Sequence, residues 1–266
     1  MRRSATLVTA AVMLLGIALP IGSAAGAADG TAGADAGPAR GITNTALTSR
    51  NWAGYFTAAP SRGTDFNAVE ATWTQPTVRC EAKTAWTVFW AGLDGWYDGT
   101  VEQGGSSARC FRKGGTPQYS LWWEMFPTNA IQTVVPIEAG DTITARVTYT
   151  RATKVFTIKV RDTTTGKGFT RQEKCGRGLT CDRSSAEAIT EDVEMLGSSG
   201  YFPLADYGTM SYSGVRATDI TGHSGSISDA HWDHARVREH KDGVTYATVS
   251  PLRSNGTAFS VTWKHA

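Results

Sequence analysis

From Asn51 to the C-terminus, apolar and polar residues alternate in short runs rich in β-branched and aromatic side chains, cut by Gly, Pro, Asn or Asp. That texture belongs to antiparallel strands. It predicts strands at 52–57, 68–74, 85–93, 119–126, 142–150, 154–161, 186–195, 208–212, 245–249 and 258–263. The 142–150 and 154–161 runs are half-buried hairpin strands, with Ile143, Ala145 and Val147 facing Phe156, Ile158 and Val160 and a turn at Ala152–Thr153. No stretch keeps a helical period over three turns. The expected fold is all-β, a sandwich or barrel, in one domain over 50–266, because no repeat or domain-scale linker interrupts it.

Three runs depart from ordinary half-buried patterning. In 186–195, alternation puts Glu187, Ile189, Glu191 and Val193 on one face. Carboxylates among apolar neighbours are costly unless the face lines a cleft or performs chemistry. In Tyr119–Pro127, one parity is core-like and the other is Ser120, Trp122, Glu124 and Phe126, an aromatic face with one embedded carboxylate. In Trp90–Gly95, Trp90 and Asp94 share a parity with Gly92 between them, which leaves room for something to lie across the strand. Close by, Gln103 offers a neutral amide beside Gly104 and Gly105.

Composition changes the picture in two places. Residues 1–28 carry Arg2 and Arg3, an apolar run from Leu7 to Leu19 and Ala25-Gly26-Ala27, the layout of a secretory signal peptide. Residues 29–49, rich in Ala, Gly and Thr, read as a linker or short pro-segment, with Arg50–Asn51 as a candidate processing junction. Removing the leader takes the 26 basic side chains to 24, equal to the 24 acidic ones. A neutral chain without Lys/Arg runs gives no electrostatic support to nucleic-acid or membrane-surface binding. The expected location is extracellular. There, four cysteines form disulfides by default; of three possible pairings, Cys80–Cys110 and Cys175–Cys181 are favoured, the second closing a short Gly-containing loop.

Six motifs then occur in order: Asn51-Trp52-Ala53-Gly54-Tyr55, Ala71-Thr72-Trp73-Thr74-Gln75-Pro76, Trp90-Ala91-Gly92-Leu93-Asp94-Gly95, Glu102-Gln103-Gly104-Gly105, Trp122-Trp123-Glu124-Met125-Phe126-Pro127 and Ala186-Glu187-Ala188-Ile189-Thr190-Glu191-Asp192. Together they resemble the glutamic peptidases, or eqolisins, secreted acid endopeptidases. The resemblance implies a concanavalin-like (lectin-like) β-sandwich of two antiparallel sheets and a monomer acting on polypeptides without metal or organic cofactor. It places the catalytic glutamine on Gln103 and the catalytic glutamate on Glu191, with Trp90, Asp94, Glu124 and Trp122 as supporting or substrate-binding residues. It also leaves Thr190 where the family has an apolar residue, a local packing change.

Other readings were open to the same residues. Glu124 and Glu191 are also the pair a retaining glycosidase needs, with Trp90 and Trp122 as sugar platforms. A lectin-like binding module accounts for the tryptophans but not the carboxylates. Gly222–Ser226 lacks the final glycine and the strand–helix frame of a nucleophile elbow. His231, His234 and His240 read as solvated rather than as a metal site.

Overall fold

The computed structural model describes residues 45–58, 65–82, 84–195 and 200–266, so the leader lies outside the described residues. Sixteen strands run in the order β1 Thr45–Ser49, β2 Trp52–Ala58, β3 Phe66–Thr74, β4 Ala85–Leu93, β5 Val101–Cys110, β6 Gln118–Phe126, β7 Asn129–Ile137 and β8 Thr142–Thr150. They continue with β9 Val155–Asp162, β10 Gly168–Glu173, β11 Ser185–Asp192, β12 Thr209–Asp219, β13 Ser224–Gly225, β14 Asp233–Lys241, β15 Val244–Val249 and β16 Phe259–Trp263. No α-helix occurs among the described residues.

All but β1, which pairs with β14, and β13, which pairs with β12, form one hydrogen-bonded path, β10-β9-β8-β3-β12-β16-β15-β14-β2-β11-β4-β5-β6-β7. Its two halves lie face to face as a sandwich, joined at β14. The first half of β14 pairs with β2 and its end with β15, with a register shift between Glu239 and His240. Such an irregularity bends a strand and lets it serve two sheets. Between the halves lies the main core, with Trp73, Phe89, Leu121, Val147, Phe156, Ile158, Tyr212 and Phe259 all buried.

A second apolar layer covers the other face of β2, β11, β4, β5 and β6, built from Trp52, Phe56, Trp86, Val88, Trp90, Trp122, Ile131 and Ile189. Strands β4, β2 and β11 are therefore buried on both faces and show no alternation in burial. The hairpin of β8 and β9 has the predicted inward residues, and both favoured disulfides are present.

Strands β5, β7, β10, β13 and β14 were not predicted. The 186–195 run ends as a strand at Asp192. The last five residues of the 29–49 segment are not linker but β1, paired in parallel with β14 from Thr45↔Ala235 to Ser49↔Glu239. Thr190 explains itself: it turns toward the core, where its hydroxyl meets the Tyr212 hydroxyl at 3.3 Å.

Candidate active site

The doubly covered face carries the predicted residues. Adjacent strands β11, β4, β5 and β6 align Glu187, Gly92, Gln103 and Glu124 in one cross-strand row. Gly92 lets the Trp90 ring lie across the middle of the row, since a Cβ there would sit 2.8 Å from that ring and 3.0 Å from the Gln103 Cβ. The Gln103 amide donates from Nε2 to Glu124 Oε2 at 2.9 Å. Its Oε1 is buried and has no hydrogen-bond partner among the described residues.

Glu191 is held from two sides. Asn51 Nδ2 donates to Oε1 at 2.7 Å, and Trp90 Nε1 donates to Oε2 at 2.8 Å. Trp52 packs edge-on against Trp90, ring centroids 5.0 Å apart. Burial pushes the Glu191 carboxyl well above the usual range, and the neighbouring charge of Glu124 adds to the shift; the Trp90 N–H pulls weakly the other way. Gln103, Glu124 and Glu191 thus form one electrostatically linked group. All three are fully buried, beneath the aromatic layer.

Of the supporting residues, Trp90 and Glu124 touch the pair directly. Trp122 lies in the covering layer, its indole N–H buried and unpaired. Asp94 differs from expectation. It sits just past β4 with φ 70°, and its Oδ1 accepts from the Ser184 backbone N–H at 2.7 Å and hydroxyl at 3.3 Å. Burial, then the charge of Asp98, lift Asp94 to about 7. Its neighbours are carboxyls as well. Burial raises Glu102 well above the usual range, with Asp94 contributing most of the rest. Glu187 is raised by burial and, more weakly, by Asp94 and Asp98, while the Ser185 hydroxyl tempers the shift. Asp94 therefore belongs to an acidic cluster beside the pair.

Sequence reasoning gave no role to Asn51. Its only signal was its place in the first motif, one residue before a strand. Glu102 was equally silent, since a strand of small polar residues does not advertise burial.

The histidines regroup. His240 bonds to Thr245 Oγ1 at 3.0 Å, and His231 meets His223 and Asp229 instead of His234. Those three are the one set among the described residues whose donor atoms converge as metal ligands do, and none belongs to the Gln103, Glu124 and Glu191 group.

Fold and face together give a β-sandwich in which a linked amide and carboxyl lie buried beneath a tryptophan-rich layer. The model of the peptidase A4 family matches residues 50–263. The chain belongs to that family and is a glutamic-type peptidase. Solved structures agree in fold. Scytalido-glutamic peptidase, crystallised with a peptide-based transition-state analogue, is similar at TM-score 0.66 and 24% identity over 81% of this chain and 98% of that one. SCP-B, an eqolisin in complex with the tripeptide Ala-Ile-His, gives 0.66 at 22% identity over 81% and 98%. Aspergilloglutamic peptidase from Aspergillus niger gives 0.58 at 24% identity over 68% and 99%. No curated protein sequence matches the chain.

Proposed function

We propose that this chain is a secreted endopeptidase in which Gln103 and Glu191 act on one water molecule and one scissile carbonyl. The observation that carries this reading is the linked group itself: a buried carboxyl whose proton affinity is raised, coupled through Glu124 to an amide with an unused acceptor. An amide has two N–H groups. Glu124 takes one, leaving the other to donate to a developing oxyanion while Oε1 accepts a proton-bearing edge of the water. Glu191 takes a proton as the water attacks and delivers one to the departing amine. A carboxyl whose pKa is raised toward the working pH suits both tasks. Asn51 and Trp90 fix its orientation.

Where the cycle starts from the protonated carboxyl, activity is highest at acidic pH and falls as pH rises through the raised Glu191 value; a cycle that starts from the carboxylate gives the opposite slope. Denatured casein and β-glucan, each incubated with the secreted protein across acidic to neutral pH, test the assignment. Peptide release that drops at least about 100-fold in both Gln103→Ala and Glu191→Gln is expected, the loss seen when one oxyanion donor is removed elsewhere. Casein cleavage that survives both substitutions, or glycan release indifferent to Gln103, overturns it.

A further inference from the structure

Away from Gln103 and Glu191, the β12–β13 turn and the loop from β13 to β14 bring three side chains to one point. His223 Nε2 lies 3.1 Å and His231 Nδ1 lies 2.8 Å from the same Asp229 oxygen. The two imidazole rings stack at 3.6 Å between centroids, 27° from parallel. We propose that His223, Asp229 and His231 form a binding site for a divalent transition-metal ion, Zn2+ being the simplest occupant.

The donor set is the borderline nitrogen-and-carboxylate kind such ions prefer. All three donor atoms lie within 4.8 Å of one another. Tetrahedral zinc with bonds of about 2.0–2.1 Å requires donors roughly 3.4 Å apart, so small side-chain rotations admit the ion. His223 Nε2 is buried and makes no well-formed hydrogen bond despite its closeness to Asp229. That leaves a nitrogen aimed into the cluster without a satisfied role there.

The frame around these donors is rigid. Asp219 caps the turn before His223, accepting from the backbone N–H groups of Thr221 at 2.8 Å and His223 at 3.1 Å. Trp232 anchors the other side: its indole donates to the Ser226 and Ile227 carbonyls, and its ring packs on Phe66. Gly225 lets the carboxylate lie over the backbone, because a Cβ there would be 2.2 Å from Asp229 Oδ2. Three protein ligands and an exposed His231 leave the remaining coordination position to solvent.

Titration of the metal-stripped, untagged protein with zinc chloride tests the site, read by calorimetry and by thermal melting, with cobalt(II) absorption as a spectroscopic check. Binding with one ion per chain and a raised Tm is expected. His231→Ala and Asp229→Asn should each weaken it at least about tenfold, while His234→Ala and His240→Ala leave it unchanged. The exposed His231→Ala variant guards against misfolding, since its unliganded Tm should match the parent's. Absence of stoichiometric zinc binding, or binding that persists in His231→Ala and Asp229→Asn, overturns the proposal. Peptidase activity is read separately, so its presence or absence does not bear on the result.

Discussion

Glu191 draws its character from what surrounds it. Two neutral donors, Asn51 and Trp90, favour its ionised form, while burial and Glu124 oppose it. Removing a donor must therefore raise the carboxyl's pKa further. Trp90→Phe keeps the aromatic wall and loses the N–H, so the alkaline limb of kcat/KM against pH should move upward; a limb that stays put or moves down contradicts the arrangement. Asn51→Ala should act in the same direction. Asn51 shows how far the sequence could be read at this scale. Gln103, Glu124 and Trp90 carried visible chemistry in their types and parity. Asn51 works by long-range contact with a strand 140 residues away, which no local pattern encodes. Asp94 was placed by sharing a parity with Trp90, but it lies one residue past the strand, where a left-handed backbone turns its carboxylate toward Ser184.

Among the elements, β5 matters most and was hardest to see. Val-Glu-Gln-Gly-Gly-Ser-Ser-Ala-Arg-Cys lacks the bulky residues that mark a strand, and tertiary context overrides that weak propensity. Between β4 and β6 its small residues become useful. A Cβ on Gly104 would meet Ile158 Cγ2 at 2.6 Å and Val160 Cγ2 at 3.0 Å, so glycine sets how closely the two halves approach. Gly104→Ala should cost about 1–3 kcal/mol by overpacking, measured by urea unfolding; no loss would mean the sheets separate freely there. Strand β14 was hidden by its charges, although Ala235 and Val237 alternate inward as a period-two reading requires. The end of β5 is also tied down: Cys110 is bonded to Cys80, 30 residues away. Closing such a loop restricts the unfolded chain by about 3–4 kcal/mol. The Cys80→Ala/Cys110→Ala double variant should lose stability of that order, and unchanged melting would refute it.

At the scale of the whole molecule, the buried carboxyls set how stability follows pH. Glu102, Glu187 and Glu191 are all raised well above ordinary values by burial, and Asp94 stands at about 7. Asp192 reaches about 6, burial prevailing over its ion pair with Lys241. In each case the folded state binds the proton more tightly than the unfolded one. Unfolding then releases protons, and stability falls as pH rises from the ordinary carboxylate range near 4 through these raised values. Calorimetry should show Tm declining between about pH 4 and 7; a Tm that climbs over this interval would mean the carboxyls are ionised in place. The overall class was legible because β-branched alternation and the absence of a helical period are properties of the whole chain. The continuous path through β14 was not, because it depends on one strand serving two sheets.

Strand β1 has a bearing on how the enzyme is made ready. It zips alongside β14 and runs through Ser49, whose hydroxyl accepts from the Asn51 and Trp52 backbone N–H groups at 3.4 and 3.2 Å. Cleavage at the Arg50–Asn51 bond would cut this splint and leave a free ammonium on the residue that grips Glu191. Trimming that stops before Thr45 would keep the splint and keep the Asn51 nitrogen an uncharged amide; N-terminal sequencing of the active protein should therefore begin upstream of β1, and a start at Asn51 would contradict this.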